Sequence, residues 1–208
     1  NCVPPSVAHM TLFPVEMESE RLRYERLGPD TLDPFELYEH VRTGAPHIDE
    51  VTRYVSWDPY RHPKEAVDWI EECAESFEAG ERATYVLRPT EGDRAGEFAG
   101  LCGLTPDWGT QRAVLGTWLR KPFWGRGYSG ERAARLLELA FERLDLELVT
   151  VSHDPANENS RRAIQRYVER FGGREEGRIR NDTVIDGEPR DSIRYSISRR
   201  EWREATDR

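Results

Sequence analysis

The sequence predicts a mixed α/β fold, one sheet of about six or seven strands with about four helices against its faces. Three observations lead there. Strand-like and helix-like apolar patterns alternate along the chain in the order β-α-α-β-β-β-α-β-α-β-β, with no obvious linker between them. The 208 residues are 37% hydrophobic and 10% aromatic, which supplies a core even though 33% are charged. No internal repeat recurs at periods of about 20 to 50 residues, which argues against solenoids and propellers.

Taken in order, Arg21 to Leu27 reads as the first strand. Leu32, Phe35, Leu37, Tyr38 and Val41 form the stripe of a first helix that ends near Gly44. Pro63 opens a second helix with stripe Val67, Ile70, Ala74 and Phe77, and Gly80 is placed to stop it. Ala83 to Arg88 and Glu97 to Leu104 are two strands joined by a Gly- and Asp-bearing turn, and Ala113 to Arg120 is a third. A strong helix follows, with Ala133, Leu136, Leu137, Ala140, Phe141 and Leu144 on one face. Leu146 to Ser152 is a strand, and Ser160 to Phe171 a helix whose stripe is Ala163, Ile164, Tyr167, Val168 and Phe171. Two strands, Gly177 to Ile185 and Ser192 to Ser198, close the chain around Asp186-Gly187, with a loop expected to exceed two residues.

Thirty basic residues against thirty-nine acidic ones give a net charge of −9, which repels a polyanion and argues against direct nucleic-acid binding. No apolar run reaches the roughly 18 residues of a membrane span. Cys2, Cys73 and Cys102 form neither a metal-ligand cluster nor an even disulfide set, so no metal is expected and a reducing, cytoplasmic setting is the simplest reading. Residues 1–9 lack the pattern of a secretory signal, and His9-Met10 marks them as an upstream or cloning-derived segment ahead of one domain over 10–208. Monomer and homodimer stay open.

The chemistry concentrates between Ala113 and Leu144, where a strand passes through Trp124-Gly125-Arg126-Gly127-Tyr128-Ser129-Gly130 into a helix. The glycines let backbone approach a ligand closely, and the helix offers free N–H groups and a positive dipole end. A phosphate or pyrophosphate fits, with Arg120, Lys121 and Arg126 as nearby cations. A P-loop would need Gly-Lys-Ser/Thr, which is missing. Residues 125–130 do match the glycine spacing of a dinucleotide loop, but that loop follows the first strand of a parallel βαβ unit and this one lies mid-chain.

Here the sequence resembles the GNAT superfamily of acetyl-CoA-dependent N-acetyltransferases, whose pyrophosphate loop reads Gln/Arg-x-x-Gly-x-Gly/Ala. Trp124 stands at the Gln/Arg position, Gly127 at the central glycine and Ser129 at the last small residue. Trp124-Gly125-Arg126-Gly127-Tyr128 with Glu131 is similar to the ribosomal-protein N-terminal acetyltransferase-like (RimJ/RimL-type) branch. The resemblance runs from Glu18 to Trp202: Ser19-Glu20-Arg21-Leu22-Arg23, Gly100 to Leu104, Leu115 to Leu119, Asn157-Glu158-Asn159-Ser160 and the closing hairpin occur in the family's order. The helix after Ser160 is about one turn longer than usual in the family, and Gly172-Gly173 replaces its Gly-Phe pair.

The resemblance implies a GNAT-like, splayed mixed sheet and direct transfer of an acetyl group from acetyl-CoA to a primary amine, most of all a protein or peptide N-terminal α-amine. Implied cofactor contacts are Trp118, Leu119, Arg120, residues 124–130, Asn157 and Ser160, where Ser160 could equally be a helix cap. Tyr167 is implied as the acid for the departing thiolate, with core packing as its alternative, and His153 is a candidate base. Trp57, Asp58 and Asp191 are acceptor-side candidates, and Trp108 is a loop aromatic able to wall a tunnel. Three other readings stay open: a small-molecule amine acetyltransferase, a non-catalytic acyl-CoA-binding module, and an NAD(P)-dependent oxidoreductase.

Overall fold

Eight strands form one sheet in the computed structural model, which describes residues 11–207; residues 1–9, Met10 and Cys2 lie outside the described residues. β1 (Glu16–Glu18), β2 (Leu22–Arg26), β3 (Ala83–Pro89), β4 (Gly100–Asp107) and β5 (Arg112–Leu119) are neighbours in chain order and antiparallel. β6 (Leu148–His153) joins β5 in parallel. β8 (Glu188–Ser198) then lies between β6 and β7 (Arg174–Ile185), antiparallel to both. This is the mixed sheet expected, with β1 as an added short edge strand.

Each face of the sheet has its own core. Tyr85 and Leu87 of β3 pack toward α4 (Tyr128–Glu138) and α5 (Glu158–Arg170), among Cys102, Leu115, Leu136, Leu137 and Ile164. Val86, between them in sequence, points the other way toward α1 (Pro34–Val41) and α3 (Pro63–Glu78), as the two-residue period of a strand requires. Strand β3 is buried on both faces, so it reads as a continuous apolar run.

The sheet is splayed at its one parallel junction. β5 and β6 are paired only from Arg112 to Val114 against Leu148 to Thr150, although both strands run on to Leu119 and His153. Beyond Val114 the facing edges of the two strands have no partner strand between them, which opens a wedge on the side where α4 and α5 begin.

Several local expectations are corrected. The inward stripe of α3 is Ala66, Ile70, Cys73 and Phe77, so Val67 and Ala74 are turned away from the core centre. Phe35 is 63% exposed because α1 starts only at Pro34, capped by the Asp33 side chain, and presents Leu37 and Val41 inward. Asp186-Gly187 is a two-residue turn, with Ile185 paired to Glu188 and φ of +52° and +76°, so the return strand begins four residues earlier than expected. α2 (Ile48–Thr52) and α6 (Arg199–Thr206) are additional helices, each burying a single side chain, Ile48 and Trp202. Trp108 donates its indole N–H to the Gly80 carbonyl at 3.0 Å and lies outside both cavities described below.

Candidate functional site

A groove of about 1880 Å³ occupies the wedge between β5 and β6 and runs over the N-termini of α4 and α5. The chain enters α4 through a short 3₁₀ turn at Lys121–Phe123, and Trp124 donates its indole N–H to the Leu119 carbonyl at 2.8 Å, closing the end of β5. Gly125 and Gly127 then adopt φ of +74° and +82°, left-handed backbone that favours glycine. Gly127 is the N-cap of α4 and has no side chain to satisfy the helix's first N–H groups. Among the described residues, the amides of Gly125, Arg126, Gly127, Tyr128 and Ser129 find no hydrogen-bond acceptor. Five consecutive free donors at a helix N-terminus make a cradle of the kind that suits an anion.

The N-terminus of α5 faces the same groove. Asn157, not Ser160, is its cap: Asn157 Oδ1 accepts the Ser160 amide at 3.0 Å, and Ser160 sits inside the first turn. Tyr167 is two turns further on, only 2% exposed, its hydroxyl without a hydrogen-bond partner although it reaches the groove wall. Burial raises its phenol above the ordinary range, and the positive charge of nearby Arg132 opposes that rise.

His153 ends β6 and is 6% exposed. Its Nδ1 lies 2.8 Å from the Asp154 carbonyl oxygen, which can only accept, so Nδ1 carries the proton. Nε2 lies 3.4 Å from the Tyr195 hydroxyl, with the two rings stacked. Both nitrogens are engaged, and His153 lines the wedge.

Trp57, Trp118, Leu119, Trp124, Gly125, Gly127, Tyr128, Ser129, Gly130, Asn157, Ser160, His153 and Tyr167 are therefore brought to one groove. Four expected residues are not. Arg120 turns into the protein, donating Nη1 to the Phe98 carbonyl at 2.5 Å and lying over the Phe123 ring. Arg126 folds back on the Pro122 carbonyl and toward Asp93. Asp191 is engaged inside the hairpin, accepting from Arg178 Nε at 2.7 Å and the Asn181 amide at 3.0 Å, where bulges in β7 set the register. Asp58 is exposed and lines neither cavity.

A second cavity of about 220 Å³ lies on the opposite face, between α1, α3 and the sheet, walled by Leu37, Val41, Trp57, Tyr60, Trp69 and Leu101. It shares Trp57, Gly116, Thr117 and Trp118 with the groove, so the two meet across β5. Gly116 leaves open space there, since a Cβ at that position would meet nothing within 4 Å. Among the described residues lining this cavity there is no carboxylate, and Arg82 is the one charged side chain.

A family model described as Acetyltransferase (GNAT) domain matches residues 22–167, from β2 through the wedge to Tyr167. The chain belongs to the GNAT acetyltransferase family. It is 34% identical over 106 residues to YdaF of Bacillus subtilis, which carries the name of a ribosomal N-acetyltransferase; the match covers 49% of this chain and 56% of YdaF, so it spans little more than half of that relative. A T. thermophilus protein described as an acetyltransferase is 30% identical, with 94% of this chain and 95% of that one superposed at a TM-score of 0.68. RimL, a ribosomal-protein alpha-N-acetyltransferase solved with coenzyme A, shares the fold at 16% identity, a TM-score of 0.72 and coverage of 89% and 96%.

The GNAT loop in this chain is held by contacts that sequence reading missed. Glu131 Oε1 accepts from Ser19 Oγ and from the Arg21 amide, both at 2.7 Å, and Oε2 accepts from Arg21 Nε at 2.9 Å. Arg21 Nη1 in turn donates to the Arg126 carbonyl at 3.0 Å, and its guanidinium lies over the Tyr128 ring. The β1–β2 turn thus clamps the backbone of the cradle. Lys121 reaches the groove, paired with Glu50 and 4.5 Å from the Trp124 ring centroid.

Glu131→Ala is expected to weaken coenzyme A binding about tenfold, or ~1.4 kcal/mol, because the loop loses its anchor and several donors lose a charged acceptor. Calorimetric titration checks this. Unchanged affinity would show that the cradle holds its shape without the clamp.

Proposed function

We propose that this chain transfers an acetyl group from acetyl-CoA to a primary amine, with a protein or peptide N-terminal α-amine as the acceptor. The observation that carries the reading is the run of free amides at 125–129 opening onto a groove whose wall is the unpaired edges of β5 and β6. That combination suits a pyrophosphate attached to an extended amide-bearing arm, since the cradle takes the anion and the free strand edges offer backbone partners to the arm. The names of YdaF and RimL support the protein acceptor.

Acetyl-CoA supplies the activated thioester. The residues of the chain position and polarise. Asn157, with Nδ2 unengaged among the described residues, and the edges of β5 and β6 orient the arm. Backbone N–H groups at the wedge stabilise negative charge on the acetyl oxygen. Cys102 takes no covalent part, because complete burial pushes its thiol up to about 12 and holds it protonated.

The amine reaches the thioester from the second cavity. A cavity of about 150 Å³ accommodates a benzene-sized group, so about 220 Å³ accepts one aliphatic or aromatic side chain. With no carboxylate in its walls, a polyamine finds no counter-charge there, whereas a peptide whose first residue is apolar fills it. The net charge of −9 still attracts a cationic amine from a distance. The two buried free cysteines fit a reducing, cytoplasmic setting.

A thiol-release assay with peptides and small amines tests the proposal. Peptides beginning with Met, Leu or Phe should exceed those beginning with Asp or Lys by about tenfold in kcat/KM, a gap of one well-buried apolar group. Rates on a peptide amine should fall as salt rises. Activity confined to small amines overturns the acceptor and leaves the transferase standing. Coenzyme A binding with no release for any amine would indicate a non-catalytic module, and tight NADH binding without coenzyme A binding an oxidoreductase.

A further inference from the structure

We infer that Arg132 and Tyr167 form a thiolate-binding subsite in the groove, where the Arg132 guanidinium receives the sulfur released from the thioester. The inference rests on the acetyl-CoA reading above. Arg132 is 2% exposed and is the one buried arginine among the described residues. Its Nε and Nη1 have no hydrogen-bond partner, and among the described residues no carboxylate pairs with it. Glu131, its neighbour on α4, is turned outward to Ser19 and Arg21.

The groups that face Arg132 from the other elements are neutral. They are Tyr24 of β2, Cys102 of β4 and Tyr167 of α5, each kept protonated by burial. A buried cation without a counter-charge is strongly unfavourable, and an apolar side chain at that place would stabilise the fold. Such a group signals an anion that arrives with a ligand.

The companion group narrows the choice. The guanidinium carbon lies 6.0 Å from the Tyr167 ring centroid, and the buried Tyr167 hydroxyl, near enough for Arg132 to act on its phenol, makes no hydrogen bond of normal geometry. Both side chains line the groove, and both present hydrogen-bond donors. An acceptor atom carrying negative charge between them satisfies both. A pyrophosphate is already served by the amides at 125–129, and Arg132 lies about 7 Å further along the helix axis, on the core-facing side. The acyl end of the arm is the part that reaches so deep.

In the step itself the amine lone pair forms the C–N bond to the acetyl carbon, the C–S bond breaks, and its electron pair leaves on sulfur. The sulfur anion rests against Arg132 and accepts a hydrogen bond from the Tyr167 hydroxyl, which stays protonated. The surplus proton of the amine passes to water, and water protonates the sulfur as coenzyme A leaves.

Titration of the thiol of bound coenzyme A, followed by ultraviolet thiolate absorbance, reads the subsite without any turnover. In the wild-type complex the thiol should titrate about one to three pH units below that of free coenzyme A. Arg132→Met should abolish the shift, keep the melting temperature at or above wild type, and lower kcat about a hundredfold, while Arg132→Lys restores part of both. A thiol that titrates in the wild-type complex as it does free in solution overturns the inference, and so does a shift that survives Arg132→Met. The wild-type titration needs no variant, so it decides the matter even if Arg132→Met does not fold. If coenzyme A fails to bind at all, the acetyl-CoA reading falls and takes this one with it; binding without a thiol shift removes this one alone.

Discussion

Gly127→Val is expected to weaken coenzyme A binding about a hundredfold while the protein stays folded, as calorimetry would measure. Gly127 has φ of +82°, where a non-glycine residue costs about 1–2 kcal/mol and a β-branched one more. A Cβ there would meet only the tip of the flexible Arg21 side chain, at 3.4 Å, so the harm comes from the backbone conformation and not from a clash. The loop relieves the strain by turning the amides around it, and each amide-to-phosphate bond lost costs about 1.5–3 kcal/mol. One such bond plus the strain makes about 3 kcal/mol, or two orders of magnitude in Kd. Wild-type affinity in Gly127→Val would mean that the cradle is not the anion site.

Tyr167→Phe should have the complementary signature, with kcat reduced about a hundredfold to a thousandfold and coenzyme A affinity changed less than about twofold. The melting temperature should hold or rise, because the hydroxyl removed is buried and unpartnered. Since burial keeps the phenol protonated, Tyr167 imposes no alkaline fall in kcat below about pH 10. An unchanged kcat would return Tyr167 to core packing beside Ile164 and Val168.

Elements with a strong apolar period were legible in the sequence, and those without one were not. β3 to β6 and α4 show through their Leu, Val and Tyr residues, and Gly125, Gly127 and Gly130 fall directly ahead of and inside the first turn of α4, so loop and helix could be read together. In α3 the larger Val67 drew the stripe toward itself, whereas the small Ala66 and Cys73 are the residues that pack inward. α2 and α6 each bury one side chain, which leaves no period to detect. The return strand β8 opens with exposed Glu188, Pro189 and Arg190, so its pairing across Asp186-Gly187 was hidden by polar residues. At the site, the Glu131 clamp joins residues 110 positions apart and exists only in the folded chain. Arg132 looks in sequence like one more solvated helix charge among Glu131, Arg135 and Glu138, and only burial sets it apart.

The short ladder between β5 and β6 also bears on how the molecule holds together. Three residue pairs are the whole strand-to-strand seam between a five-stranded half, β1 to β5, and a three-stranded half, β6 to β8. The halves are otherwise joined by α4 against α5 and by one buried core that runs from Tyr85 and Leu115 to Val149 and Tyr195. Side-chain packing and not backbone pairing therefore holds the two halves together along most of that line. Ligand laid along the wedge touches both halves, so it splices them, contributing about 2.7 kcal/mol at a hundredfold excess over its Kd. The opening that admits the cosubstrate is thus also the line where bound ligand adds the cross-links that the ladder lacks.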